Sequence, residues 1–398
     1  MWITSPHGQL VLESARKQLS GQLSDPLVAN SSLRKLYPDL EPSQIAAALD
    51  QATLSRLADE RYGVDATHLL LTRDGLEQGT RPEVAKLRAQ LIANSGATTV
   101  IDMSAGLGFD VRAMLDVGLQ VIAIERDPIT AAYLRTNAPN ATVIEGDSVE
   151  LIDALLPQLH ANDVVFVDPA RRSGRRTLDG SRAHPERDPE RWSPSWSFVT
   201  SLAEQGVRVC AKVAPGFSPS LLPQDWSGIW TSMHRDGVEA MVYSWSDTFA
   251  RTARMIDTAA VDFSGTGMGH IEIAPVGTYL HEPDISLINA QLLNDFCIEH
   301  PDICRIDLES IWLTSQIPVS HPMIRSYRVE EVLPNDTKAL RKALVSRNIG
   351  DVTIKSRGMN ISTDSMRKEL KLPTGIPATL IIAVADKQRV TLLVHRNG

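Results

Sequence analysis

Apolar residues recur at helical spacing through the first part of the chain. In "SQIAAALDQATLSRLADERYG", Ile45, Leu49, Leu54 and Leu57 return on one face, and Gly63 supplies a stop signal. A second helix is expected over "TRPEVAKLRAQLIANSG", with Thr80 as its N-cap, Pro82 in its first turn and Gly96 just past its end. Residues 1–95 therefore read as a helical N-terminal domain. From residue 98 short apolar runs alternate with helical segments. "TTVIDM", "QVIAIE", "ATVIEG", "DVVFVDP" and "VRVCAKVAP" read as five strands, and "DVRAMLDVG", "DPITAAYLRTNA" and "SVELIDALLPQL" as the helices between them. Such alternation predicts right-handed crossovers and a parallel sheet covered on both faces. Two further strand-like runs within 238–261 suit an antiparallel hairpin at the sheet edge. The expectation is an α/β domain over 96–265 with a mostly parallel, seven-stranded sheet.

After about 265 the pattern changes again. "EPDISLINAQLLNDFC" places Ile285, Ile288, Leu292 and Phe296 on one stripe of an expected amphipathic helix. Then come a strand (Tyr327–Leu333), a helix (Thr337–Ser346), a strand (Asp351–Ser356), a helix (Ser362–Leu370) and two final strands, "ATLIIAVA" and "RVTLLVH". Residues 266–398 are thus expected to form a small α+β domain with a compact core at 327–398. No internal repeat is visible.

Composition narrows the class. The 398 residues suffice for two or three domains, and 43% hydrophobic residues are ample for buried cores. No apolar run approaches the ~20 residues of a membrane span, and the N-terminal segment lacks the basic and apolar regions of a signal peptide. Three cysteines, Cys210, Cys297 and Cys304, form no C-x-x-C pair, and ten histidines are scattered without metal-site spacing. The expectation is a soluble, cytoplasmic protein with no metal and no membrane partner. A net charge of −8 argues against a uniformly basic surface. Two local basic stretches remain, residues 171–191 with seven arginines against four acids and residues 338–371 with nine Lys/Arg against three acids. Each is either a solvated face or a place for phosphate contact.

The candidate chemistry starts at "VIDMSAGLGFD", residues 100–110. A strand, a glycine loop and a helix at the start of a parallel sheet form the place where nucleotides bind. The dinucleotide fingerprint asks for a third glycine at 111, where Val111 stands. Asp102 and Asp110 flank the loop and suit a cationic ligand better than a pyrophosphate. This stretch resembles the first motif of the Rossmann-like, class I S-adenosylmethionine-dependent methyltransferases. "VIAIERDP" is similar to their second motif, "VIEGDS" to the third and "DVVFVDPARR" to the fourth, each at the end of an expected strand. The resemblance implies S-adenosylmethionine as cofactor. Asp102, Ser104, Gly106 and Gly108 would lie at its methionine part and Glu125 with Arg126 at the ribose. Asp147 with Ser148 would lie at the adenine. "LTRDGLEQGTRPEVAKLRA" resembles the segment that closes over the cofactor in trimethylguanosine synthases, with T-R-P-E (Thr80–Glu83) one residue longer than their T-P-E. "YLHEPD", "RVEEVLP", "KSRG" and the C-terminal strands are similar to bacterial methyltransferases with a THUMP-like C-terminal domain. That likeness covers nearly the whole chain and implies RNA, a tRNA or rRNA, as the substrate.

Each residue also has a plainer reading. Gly106 and Gly108 could make an ordinary turn, Glu125 could favour a helix dipole, and Asp147 could cap the helix from 148. Asp168 sits at a strand end beside the glycine loop, where a catalytic or cofactor-binding role suits it. The fourth motif reads D-P-A-R, so Pro169, Arg171 and Arg172 stand where the family has substrate contacts. Either arginine could stack on a base or hold a phosphate. Cys210, within the fifth strand, reads as core, whereas Lys212 at its end is a catalytic candidate. A lysine–aspartate pair hints at ribose-oxygen methylation. Trp192 and Trp196 in "RWSPSWSF" suit core packing better than a base-stacking lid. Two alternatives are a non-catalytic RNA-binding protein that keeps the fold and, with less support, a nucleotide-dependent oxidoreductase.

Overall fold

A computed structural model describes residues 2–19, 25–63, 68–171, 186–246, 249–357 and 361–396. By packing, the chain divides into two compact units, Met1–Lys212 and Val213–Gly398.

The first unit begins with helices α1 (Pro6–Leu19), α2 (Pro26–Leu36), α3 (Pro42–Tyr62), α4 (Arg73–Gln78) and α5 (Pro82–Asn94). Their ends follow local chemistry. Glu41 and Gln44 form a reciprocal capping box at the start of α3, Pro42 occupies its first turn, and Gly63 ends it. Thr80 is not the N-cap of α5. Arg81 holds that position without a side-chain cap, because the Thr80 hydroxyl is committed elsewhere. The apolar faces of α1–α3 form one core with Leu69, Leu70 and Leu71, which Leu107 and Tyr133 join from the following α/β region.

Five strands follow, β1 (Thr99–Asp102), β2 (Gln120–Glu125), β3 (Thr142–Glu145), β4 (Val164–Val167) and β5 (Arg208–Val213). Their order is β3-β2-β1-β4-β5, and every pair recorded among them is parallel. Helices α6 (Phe109–Asp116), α7 (Pro128–Asn137), α8 (Ser148–Leu155) and α9 (Trp196–Glu204) make the crossovers. All four residues of β4 are buried, as befits a central strand covered on both faces. At the N-terminal edge the Asp163 carboxylate accepts from the Thr98 and Thr99 amides at 2.9 and 2.8 Å, so β4 and β1 start in step. Cys210, Trp192 and Trp196 are buried, as packing required.

In the second unit, β6 (Ser227–Met233), β7 (Asp236–Tyr243), β8 (Arg251–Ile256) and β9 (Ala260–Gly265) lie in the order β7-β6-β8-β9. Among the described residues the region thus holds nine strands rather than the seven expected. The two runs in 238–261 fall on β7 and β8, which do not pair with each other. β7 is antiparallel to β6, β6 is parallel to β8, and β9 returns antiparallel to β8. Every residue of β6 is buried, so "SGIWTSM" carries no alternation from which a strand could be read.

Seven more strands form a second sheet in the order β11-β12-β10-β13-β16-β15-β14. They are β10 (Tyr279–Pro283), β11 (Cys304–Arg305), β12 (Leu313–Ser315), β13 (Ile324–Leu333), β14 (Ile349–Ser356), β15 (Ile376–Ala385) and β16 (Gln388–Arg396). The expected amphipathic helix at 283–298 is two short helices, α10 (Ile285–Asn289) and α11 (Leu293–Glu299). Gln291, at φ +56°, breaks the run between them. From β13 onward the strand-helix-strand-helix-strand-strand order is the one read from sequence. Leu340 and Leu344 of α12 (Thr337–Ser346) and Met366 and Leu370 of α13 (Thr363–Leu370) pack with Val352, Ile354, Leu380 and Ile382. Among the described residues no helix is long and apolar enough to cross a membrane, and no group of three His, Cys, Asp or Glu could hold a metal ion.

Gly108 opens α6 at φ +89°, and a Cβ there would come within 2.6 Å of Leu134 Cδ1 on α7. Gly108→Ala is therefore expected to cost about 2–3 kcal/mol from left-handed strain and overpacking together. Thermal unfolding of the two proteins checks this, and equal melting temperatures would contradict the packing described.

Candidate functional site

Each of the five parallel strands delivers a residue to one cavity at its C-terminal end. The cavity measures about 330 Å³ and is lined, among others, by Ser104 and Gly106 after β1, Glu125 of β2, Asp147 after β3, Asp168 after β4 and Lys212 of β5. It lies where the strand order turns from β1 to β2 on one side and to β4 on the other, the crevice that open α/β sheets use for ligands. Its volume is at the lower end of the range for small-molecule sites.

The loop after β1 is held by polar contacts at both ends. The Ser104 amide donates to Asp102 Oδ1 at 2.9 Å, and the Asp168 amide donates to the Ser104 hydroxyl at 2.6 Å. The Gly106 amide donates to Glu125 Oε2 at 3.0 Å, while Glu125 Oε1 accepts from the Asp127 amide at 2.8 Å. Gly106 has φ +53°, and a Cβ built there would meet nothing closer than the Ser104 carbonyl at 3.9 Å. The glycine thus serves the backbone turn and leaves space over the loop. Asp147 caps α8 through the Val149 amide at 2.9 Å, and Arg126 reaches it at 3.7 Å. The capping reading of Asp147 and its place on the cavity wall are both met.

A chain of polar groups runs from the cavity into the core. Lys212 Nζ donates to Asp168 Oδ2 at 2.6 Å and to the Thr80 hydroxyl at 3.0 Å. Thr80 donates in turn to Asp110 Oδ2 at 2.6 Å, and Asp110 Oδ1 pairs with Arg88 of α5. Arg88 is only 1% exposed and stands over the Phe166 ring of β4. Asp102 lies behind this cavity and does not line it. Its Oδ2 is buried with no hydrogen-bond partner. Burial pushes the Asp102 carboxyl up to about 8, with Asp110 and Asp168 adding to the rise against the Ser104 amide. Burial also raises Glu125, against the two amides it accepts.

The structure therefore brings Thr80, Ser104, Gly106, Glu125, Arg126, Asp147, Ser148, Asp168 and Lys212 to one wall. Asp102, Gly108 and Pro169 do not line it. Arg171 is half-buried, and its carbonyl accepts from the Glu186 amide at 2.7 Å. Arg172 and most of the basic stretch at 171–191 lie outside the described residues. Sequence reasoning missed Gly75, Gln78, Gly79, Phe109, Ser193 and Pro194 as lining residues. Ser193 reaches the wall through a two-way backbone bridge to Ala170, at 2.8 and 3.1 Å, which no local pattern announces.

Comparison with known proteins bears on the fold and the class of activity. Residues 324–396 match the THUMP domain-like family. The chain is 27% identical over 362 residues to an uncharacterized S-adenosylmethionine-dependent methyltransferase of Mycobacterium tuberculosis, covering 88% of this chain and 94% of the relative. It is also 29% identical over 175 residues to the ribosomal RNA small subunit methyltransferase J of Haemophilus influenzae, covering 40% of this chain and 66% of that protein. A crystal structure of a candidate methyltransferase from Porphyromonas gingivalis W83 shares the fold at a TM-score of 0.74 and 21% identity, over 98% of each chain. The chain is an S-adenosylmethionine-dependent methyltransferase whose residues 324–396 are THUMP-like. Val111, where an oxidoreductase fingerprint would have glycine, is a fully buried core residue of this methyltransferase.

The buried Asp102 of the methyltransferase gives a signed pH effect. Its carboxyl titrates near 8 in the folded protein and near 4 when unfolded. Between those values the folded state binds more protons, so this group's contribution falls as pH rises from about 4 to 8. Asp102→Asn cannot ionise and should gain on the wild type over that window. Urea unfolding across pH 5–8 without cofactor measures the difference, and parallel profiles would count against a buried, proton-binding Asp102.

Proposed function

We propose that this methyltransferase modifies RNA, with ribosomal RNA the first substrate to test. The observation that carries the cofactor part of the reading is the cavity rimmed by Glu125, Asp147 and Asp168. Such a wall suits a ligand that carries positive charge. The space over Gly106 lets a nucleoside approach the backbone closely. In this reading Glu125 holds the ribose hydroxyls, since a carboxylate accepts two donors at once. The side of the cavity at Asp147, Ser148 and Arg126 takes the adenine, and the Asp102–Gly108 loop and Thr80 take the methionine part. S-adenosylmethionine supplies an already activated methyl group, so positioning provides most of the acceleration.

Asp168 and Lys212 are read as the catalytic pair. Asp168 gives one carboxylate oxygen to Lys212 and has a second with which to accept a proton from, or orient, the nucleophile. Lys212 is fixed from its other side by Thr80, so its ammonium cannot swing away from Asp168. Pro169, Arg171 and Arg172, which follow in the chain, are read as substrate contacts. Residues 1–95, 96–265 and 266–398 are read as helical, cofactor-binding and RNA-presenting portions. Support for RNA comes from the THUMP domain-like match and from the named activity of the rRNA methyltransferase relatives.

Glu125→Ala is expected to weaken S-adenosylmethionine binding by about 1.5–3 kcal/mol, the worth of a hydrogen bond to a charged group. Calorimetry measures it, and an unchanged affinity would mean that the ribose lies elsewhere. For the substrate, nucleosides from ribosomal RNA of a deletion strain and its parent are compared by mass spectrometry. Loss of one methylated nucleoside, restored by the purified enzyme, is the expected result. Identical nucleoside profiles in ribosomal and in transfer RNA would contradict an RNA substrate.

A further inference from the structure

Two sequence stretches that the cofactor site does not use, "YLHEPD" and "KSRG", meet in the second unit. Glu282 of β10 is 3% exposed. Its carboxylate accepts from Lys355 Nζ at 2.7 Å, and Arg357 Nε and Arg325 Nη1 stand 3.0 and 4.0 Å away as further ion-pair partners. The Tyr327 hydroxyl donates to the same carboxylate at 3.0 Å, and Lys355 also lies 5.4 Å over the Tyr327 ring. Arg325 faces Glu282 directly across the β10–β13 ladder. Lys355 comes from β14, four strands from β10 in the sheet order. In a flat sheet that is about 19 Å, so the sheet curls to bring these heads together.

The charges do not cancel. Three cations, Arg325, Lys355 and Arg357, share one carboxylate and leave an excess of two. A fourth, Arg235, donates to the Glu282 backbone carbonyl at 3.1 Å and has buried Asp284 as an opposing charge. Burial alone would raise the Glu282 carboxyl, but Lys355, Arg357 and Tyr327 outweigh it and hold it below the usual carboxylate range. Glu282 therefore stays ionised at neutral pH and anchors the three heads from below. The side chains of Arg325, Lys355 and Arg357 remain 34%, 25% and 49% exposed, so their outer faces meet solvent. Long cations normally lose rotamer freedom when they bind an anion. Here much of that ordering is already done by the buried carboxylate.

From this arrangement the geometry points to a phosphate-binding site on the THUMP-like domain, formed by Arg325, Lys355 and Arg357 over Glu282, that takes the backbone of the substrate RNA. Glu282 is its positioning residue and touches no RNA itself. The guanidinium of Arg357 presents five N–H donors, of which the Glu282 contact uses Nε, and its fork matches two phosphate oxygens. This inference rests on RNA being the substrate class.

The test uses the full-length protein and a fluorescently labelled stem-loop RNA of about thirty nucleotides, titrated over a series of salt concentrations. Arg357→Gln, a change at a half-exposed side chain, should weaken binding about three- to ten-fold and reduce the salt slope by about one. S-adenosylmethionine affinity should not move. Glu282→Gln separates positioning from bulk charge, because it makes the protein more positive by one. A merely electrostatic surface would then bind RNA more tightly, whereas a site built on Glu282 binds more weakly. Wild-type RNA affinity and salt slope in Arg357→Gln would overturn the site while leaving the substrate class standing. A wild-type protein that binds no RNA would overturn the substrate class, and the site with it.

Discussion

Three carboxylates, Asp102, Asp110 and Asp168, stand close enough together that each of the other two raises the pKa of Asp102. Asp102 and Asp110 are buried away from water while Asp168 is 30% exposed on the cavity wall, so for the buried pair above all the fold must supply opposite charge or forgo ionisation. It supplies two cations. Arg88 reaches in from α5 to Asp110, and Lys212 at the end of β5 takes Asp168. Asp102 receives only the Ser104 amide, and its other oxygen has no partner. Asp102 forgoes ionisation instead, since burial holds its carboxyl up to about 8, and the acids on the cavity wall itself are Glu125, Asp147 and Asp168 beside Asp110. In the proposed reading that wall is why a sulfonium cofactor, rather than a pyrophosphate, suits this crevice.

The same constraint explains why the helical N-terminal segment belongs to the chemistry. Thr80 links the two ion pairs, accepting from Lys212 and donating to Asp110. Removing Arg88 would leave the buried Asp110 uncompensated, a loss of several kcal/mol in comparable settings, whereas Asp168, 30% exposed, would lose less on removal of Lys212. The helices therefore do more than cover one side of a sheet. Their own core, from Ile3 to Leu71, extends to Leu107 of the glycine loop and Tyr133 of α7. The position of Arg88 and Thr80 is thus set by packing that begins at the start of the chain.

Much of this was legible in residue order because the determinants are local. An apolar run with an acid at or just past its end recurs at Asp102, Glu125, Asp147 and Asp168, and three of these, Glu125, Asp147 and Asp168, line the cavity while Asp102 lies behind it. The C-terminal order from β13 to β16 was equally plain, since each strand and helix there has its own period. What was not legible depends on distant partners. Thr80 looked like a cap because nothing nearby in sequence announces Asp110 or Lys212. β6 showed no alternation because both of its faces are buried, and the helix at 283–298 hid its break at Gln291 in an unbroken apolar stripe. Ser193 and Pro194 reach the cavity only through the bridge to Ala170.

Glu282 shows the same device with the opposite sign. In the first unit the cavity wall carries Asp110, Glu125, Asp147 and Asp168 against Arg126 and Lys212, so acids outnumber cations there. In the second, three cations converge on one buried carboxylate, and the surplus positive charge faces solvent. A lone buried carboxylate is costly, and Glu282 persists because the cations that it orders also stabilise it. Neither arrangement adds net stability with certainty over an apolar core of equal volume, since desolvation offsets most of the Coulomb gain. Clusters of this kind are better understood as fixing where uncompensated charge sits. In the proposed reading one leaves room for a cationic nucleoside and the other for the anionic backbone of an RNA substrate.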